Sequence, residues 1–249
     1  MSLTQPTQNI IPVVKTACST CRLRDLCLPF GLDQEGLGKL DTIINQRQRV
    51  RAGQHIYRAS QPFHFLYAIR SGFFKSYDIG LDGQEHIHGF HMGSEIMGLD
   101  AISTEYHTSS AVALEDGDVC EIPFSALEEL IRSVPSLQRQ FHKILSHEIS
   151  KDQDVMKLLG SMSAEQRLAV LLVNLSARFA ALGYSPTEIQ LKMSREEIGN
   201  YLGLKLETVS RTFSKLQSDG LLAIERRNLN ICDLDGLKRL IDFGRCDHT

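Results

Sequence analysis

No run of about eighteen apolar residues occurs in the sequence, so no transmembrane helix is expected. No basic region precedes the short apolar patch in "MSLTQPTQNIIPVVKTA", which argues against a secretion signal. The expected location is the cytoplasm, where the six cysteines would be thiols or metal ligands rather than disulfides. Strong charge is missing too. At −3 over 249 residues, bulk charge recruits neither a membrane nor nucleic acid, so any DNA contact must come from a local basic patch. The nine histidines are scattered, and no nucleophile–base pair or glycine-rich dinucleotide loop is present. An enzyme is not expected.

What is present falls into blocks. Residues 1–17 lack periodicity and carry two prolines, the texture of a mobile tail. With the cysteine-rich loop that follows, they make up an N-terminal segment over 1–29. "GLDQEGLGKLDTIIN" reads as a short helix. Strand-like runs then follow between glycines: "HIYRA", "FLYAIRSG", "FFKSYDI", "HIHGFHMG" and "AVALEDGDVCEIP". With turn signals at Asp82-Gly83 and Asp116-Gly117, they predict an antiparallel β-roll over 30–133.

Pro135 opens a long helix, predicted over 134–160. Leu137, Phe141, Ile144, Leu145, Ile149, Val155, Met156 and Leu159 recur along it at helical spacing. Such a stripe serves either packing on the roll or a two-stranded seam, and its length favours the seam. A 3.5-residue rhythm through Leu145, Glu148, Asp152, Val155 and Leu159 puts a carboxylate on or beside that seam. Two copies of Asp152 would repel across a dimer axis, unless Asp152 simply faces water.

Residues 161–249 predict a winged helix, giving an α+β chain overall. Ser194 and Glu197 form a capping box, Gly203 fits a tight turn between helices, and a second helix runs roughly from Lys205 to Ser218. Val209, Phe213 and Leu216 share its inner face. That leaves Glu207, Ser210, Arg211 and Ser214 where a recognition helix meets base edges, with Thr208 and Lys215 beside them. "LLAIERRNLNICDL" reads as a wing with Arg226 and Arg227 at its tip for phosphates. Between Leu191 and Asn230 seven basic residues stand against five acidic ones, opposite in sign to the whole chain. Double-stranded DNA is the expected partner.

Cys18, Cys21 and Cys27 are spaced C-x2-C-x5-C, and Cys120 is the candidate for a distant fourth ligand. Four thiolates suit zinc or an iron–sulfur cluster, and spacing barely separates the two. The lack of a second C-x2-C pair favours iron–sulfur. A zinc-stabilised regulator, or a dithiol switch among the first three cysteines, stays open. Cys232 and Cys246 have no close partners and read as incidental.

The blocks "C-x2-C-x5-C-L-P-F", "LYAIRSG-x2-KSY", "GFH", "CEIPF", "DQD", "NLSARF" and "IGNYLGL-x-L-ETVSR" occur in order along the chain. In these the sequence resembles the fumarate–nitrate reduction regulators (FNR and Anr) of the cyclic-AMP receptor superfamily. The resemblance implies a cyclic-nucleotide-binding-like β-roll, a dimerisation helix and a winged helix. It also implies a [4Fe-4S] cluster on Cys18, Cys21, Cys27 and Cys120, which oxygen converts through [2Fe-2S] to nothing as the DNA-binding homodimer falls apart. Glu207, Ser210 and Arg211 match the base-reading set, for half-sites like TTGAT and ATCAA four bases apart. Asp152 matches an aspartate that opposes dimerisation, flanked by Ile149 and Leu145. RNA polymerase is a further implied partner, with Ser71-Gly72-Phe73 and Asp82-Gly83 loosely matching contact regions. A cyclic nucleotide is not expected, because Ser109 stands where the phosphate-binding arginine would be and Leu99 where a ribose-binding glutamate would be.

Overall fold

The computed structural model describes residues 14–15, 17–44 and 46–243. A two-residue strand β1 (Val14–Lys15) precedes the cysteine loop, whose centre is one 3-10 turn at Arg24–Leu26. Helix α1 (Gln34–Ile43) follows. Next come β2 (Gln46–Val50), β3 (His55–Tyr57), β4 (Phe65–Ser71), β5 (Phe73–Ile79), β6 (Glu85–Met92), β7 (Ile96–Met97), β8 (Ser110–Ala113) and β9 (Gly117–Pro123). Helices α2 (Phe124–Ser133), α3 (Pro135–Ser161) and α4 (Ala164–Ala181) lead to β10 (Glu188–Gln190), α5 (Arg195–Leu202) and α6 (Leu206–Ser218). The wing strands β11 (Leu222–Glu225) and β12 (Asn228–Ile231) and helix α7 (Leu234–Phe243) complete the order.

The roll expected from the glycine-punctuated runs is two sheets, ordered β1-β2-β9-β4-β7 and β3-β8-β5-β6. Alternation explains its core. Val50, Tyr67, Ile69 and Val119 from the first sheet meet Tyr57, Phe74, Ala111 and Ala113 from the second. Most of the expected tail, residues 1–13 and Thr16, lies outside the described residues, but Val14 and Lys15 pair with Arg47 and Gln46. That edge strand is too short to show in sequence periodicity.

Contacts divide the chain into two units. One runs to Phe74 and resumes over His91–Phe141; the other comprises Lys75–Phe90 and everything from His142 onward. The second unit takes in most of the hairpin of β5 and β6. Asn200 of α5 treats the edge of β6 as a strand would, accepting from the Ile87 amide at 2.7 Å and donating to the Glu85 carbonyl. Lys75, 8% exposed, bridges Glu85 at 2.6 Å and Glu197 at 3.0 Å. Burial pulls its pKa down, but the two carboxylates outweigh that and the net shift is upward. Glu197 is doubly used, since it also accepts from the Ser194 amide to close the predicted capping box.

Local chemistry shapes the helix pair. Gly203 ends α5 in the left-handed region at φ 63°, where a side chain is disfavoured. Inside α5, Gly199 lets the chain pass close, for a Cβ there would meet the Leu204 carbonyl oxygen at 2.6 Å and Val209 at 3.3 Å. We expect Gly199→Ala to destabilise this unit by about 1–3 kcal/mol, the usual cost of overpacking. Thermal unfolding of the variant checks this, and an unchanged midpoint would contradict the close approach.

Candidate functional site

Cys120 lies in β9, between β2 and β4, in register with Arg47 and Ala68. Val119 of the same strand points into the core, so Cys120 points to the opposite face. On that face Ala68, Arg70, Cys120 and Ile122 form the floor of a hollow. Cys18, Cys21, Cys27, Leu28 and Ile44 line it from above, so all four predicted cysteines border one space. That space is about 420 Å³, solvent at its mouth included. Leu28 is fully buried, consistent with the apolar "LCLPF" sealing one side.

The loop bearing three of the cysteines is held by its own turns and from outside. Cys21 donates to the Cys18 carbonyl at 3.1 Å, and Arg24 donates to that of Cys21 at 3.2 Å. Asp41 of α1 accepts from the amides of Cys18 and Ser19 at 2.5 and 3.2 Å, and from the Ser19 hydroxyl at 2.5 Å. At the far end, Gln140 of α3 donates to the Cys27 carbonyl at 3.4 Å. None of these outside contacts was legible in the sequence, because nothing local marks a carboxylate or amide that will meet a loop far along the chain.

Burial pushes the Cys27 thiol up to about 12, with the neighbouring thiols Cys120 and Cys21 adding to it. Cys18 goes higher still, for burial first and then for the charges of Cys27, Cys120 and Asp41. Cys120 is also raised by burial, against the opposing pull of Arg70. Thiolates gathered here therefore call for positive charge, and a soft cationic group would supply it. Among the described residues no three His, Cys, Asp or Glu side chains stand close enough to hold a single metal ion. By residue type the four thiols suit zinc or iron–sulfur chemistry, but as placed they do not converge on a single ion.

At Ser109, where the sequence lacks the arginine a phosphate would need, the chain supplies an anion of its own. Asp100 Oδ2 accepts from the amides of Thr108 and Ser109 at 2.9 and 3.0 Å and from their hydroxyls at 3.2 and 3.1 Å. Its Oδ1 faces His107 Nδ1 at 3.5 Å. Burial pushes this carboxyl up, but bonds from His107 and Ser109 outweigh it and hold it below its usual range. A phosphate at Ser109 would meet a carboxylate in place of a cation.

In the helix pair, Val209, Phe213 and Leu216 are buried as predicted. Glu207, Ser210, Arg211 and Ser214 are exposed along the other face of α6, with Thr208 half-buried between them. Lys215 is exposed but engaged, 2.5 Å from Glu165 of α4. Arg195, counted in the sequence only as charge, stacks on Phe213 at 3.3 Å from the ring centre, and its Nη1 has no hydrogen-bond partner among the described residues. Burial lowers its pKa to about 10. At the wing tip, Arg226 and Arg227 connect the paired residues Glu225 and Asn228, both arginines are exposed, and Arg226 is left-handed at φ 57°.

The stripe on α3 differs in phase from the expected rhythm. Ile149, Met156 and Leu159 are 59, 65 and 38% exposed, and with half-buried Leu145 they step by fours and threes through Asp152. Glu148 is instead paired with Lys151 at 3.4 Å, and Val155 is half-buried. The exposed face thus runs 145–149–152–156–159, with Asp152 at its centre. Of the two loosely matched contact regions, Asp82-Gly83 is exposed. At the other, only Ser71 is exposed, for Phe73 is 3% exposed and serves the roll. Cys232 is exposed beside the wing, and Cys246 lies outside the described residues. Among the described residues no helix is long and apolar enough to cross a membrane.

Residues 166–240 match a family model described as a Crp-like helix-turn-helix domain, and residues 47–134 match a cyclic nucleotide-binding domain. The transcriptional regulatory protein btr of Bordetella pertussis is 46% identical over 241 residues, 96% of this chain and 100% of that one. The fumarate and nitrate reduction regulatory protein of Escherichia coli is 44% identical over 228 residues, 92% of this chain and 91% of its own length. The structure of FixK2 from Bradyrhizobium japonicum superposes with a TM-score of 0.71 at 31% identity, covering 78% of this chain and 96% of that one.

Exposure and raised pKa together set an order of thiol reactivity. In metal-free protein at pH 8, iodoacetamide should label exposed Cys232 well before Cys18 or Cys27, whose labelling should accelerate as pH rises toward their elevated pKa values. Peptide mass spectrometry reads the order, and rapid labelling of Cys27 at pH 8 would contradict its raised pKa.

Proposed function

The chain belongs to the Crp/FNR family of transcription regulators, and from that premise we propose that it is an oxygen-responsive regulator controlled by an iron–sulfur cluster. The observation that carries the reading is the convergence of Cys18, Cys21, Cys27 and Cys120 on one hollow. These four thiols would hold a [4Fe-4S] cluster, which supplies an oxygen-labile centre when bound. The three-plus-one spacing and the ordered sequence blocks favour it over zinc.

The chain's own residues connect that hollow to DNA. The loop joins the base of α3 through Gln140 and Cys27, so loop position and helix packing are linked. In a homodimer the apolar positions Leu145, Ile149, Met156 and Leu159 would be covered by the partner's, while Asp152 opposes closure. A weak seam of this kind needs only a few kcal/mol of bias to switch. Closed, it presents two α6 helices to half-sites like TTGAT and ATCAA. Arg211 then pairs with guanine, Glu207 accepts from cytosine, and Ser210, Ser214 and Thr208 contact base edges or backbone. Arg226 and Arg227 hold phosphates. The regulator works in the cytoplasm, with RNA polymerase as the partner for activation. The exposed turn at Asp82-Gly83 is the better placed of the two candidate contacts.

Iron and sulfide analysis of anaerobically purified protein tests the reading. We expect both in the wild type, with visible absorbance that bleaches in air, and loss of both in Cys120→Ser. Zinc without sulfide would replace this reading with a zinc-stabilised regulator. Asp152→Ala should sediment as a dimer in air, whereas a monomer would refute seam repulsion. Arg211→Ala should weaken binding to the specific site by about 1–3 kcal/mol in a gel-shift titration while leaving non-specific binding nearly unchanged.

A further inference from the structure

We propose that Asp41 is the positioning residue of the cysteine loop, its carboxylate fixing the backbone at Cys18 and Ser19 and so setting where Cys18 enters the hollow. The proposal rests on the reading of the four cysteines as one ligand set. Asp41 lies in the last turn of α1, which contains no basic residue, and a carboxylate there faces the negative end of the helix dipole. It also sits beside a group of thiols that must become anionic to bind metal. On both counts the position is unfavourable for an acid. Three hydrogen bonds offset this, from the amides of Cys18 and Ser19 and from the Ser19 hydroxyl.

The effect spreads beyond one residue. The Cys18 carbonyl accepts from the Cys21 amide and the Cys21 carbonyl from that of Arg24, so anchoring Cys18 seats the turn that carries Cys21. Asp41 secures the start of the loop and Gln140 its end at Cys27.

The test uses the full chain in four variants. In metal-free protein, Asp41→Ala should raise hydrogen exchange at the Cys18 and Ser19 amides about tenfold or more, the loss expected for a charge-assisted bond. Asp41→Asn keeps an acceptor oxygen and should restore most of the protection. After anaerobic reconstitution, Asp41→Ala should lose iron in air sooner than wild type, with Asp41→Asn close to wild type. Should Asp41→Ala fail to fold, Ser19→Ala removes only the 2.5 Å hydroxyl bond and should show the same trend more weakly. Unchanged exchange at both amides overturns the clamp. Faster exchange with unchanged iron retention overturns its positioning role but leaves the ligand set standing. A Cys18→Ser control that keeps full iron overturns the ligand set itself.

Discussion

The register of β9 is the constraint on which the rest depends. Held between β2 and β4, this strand places Val119 in the core and Cys120 on the outer face. A slip of one residue would exchange those faces, sending the thiol inward and leaving a core position to Glu121 or Cys120. Thiol placement and core packing are therefore one decision. The other three cysteines come from a loop with a single 3-10 turn, whose position is set by Asp41 and Gln140. The hollow thus has a floor of paired strands and a roof tied down from two helices.

Three carboxylates occupy costly places, and their settings differ instructively. Asp100 is enclosed by donors from Thr108, Ser109 and His107, so its charge is locally satisfied and holds its own loop like a plug. Asp41 is likewise satisfied, with the charge spent on holding a loop. Asp152 stands exposed in the middle of an apolar stripe. Its cost, on the proposed reading, arises only when a second copy covers that stripe. The same side chain type thus serves as plug, clamp or threshold according to whether its hydrogen bonds are met before or after assembly.

Much of this was legible because it is local. The capping box at Ser194, the turn at Gly203 and the buried face Val209–Phe213–Leu216 each depend on residues within one or two turns of each other. The roll was readable from alternation and turn signals for the same reason. The phase of the α3 stripe was not. Glu148 and Ile149 are adjacent, and only the tertiary packing that half-buries Val155 decides which of the neighbouring rows is exposed. Lys75 with Glu197, Asn200 with β6 and Arg195 on Phe213 were invisible for a different reason. Polar side chains carry no periodic signature, and their partners lie far away in sequence or on another helix. The four cysteines could be grouped from sequence, yet the hollow that unites them is a product of sheet register.

Arg226 adopts a backbone conformation that glycine would enter without strain, at the first position of a two-residue hairpin loop. Retaining a long cationic side chain there forgoes about 1 kcal/mol of folding free energy. Evolution of this chain for heat resistance alone would therefore drift toward glycine at 226, yielding a sturdier protein with, on the proposed reading, a blunted grip on the sugar–phosphate backbone. On that reading, durability and promoter occupancy are set against each other at a single dihedral angle.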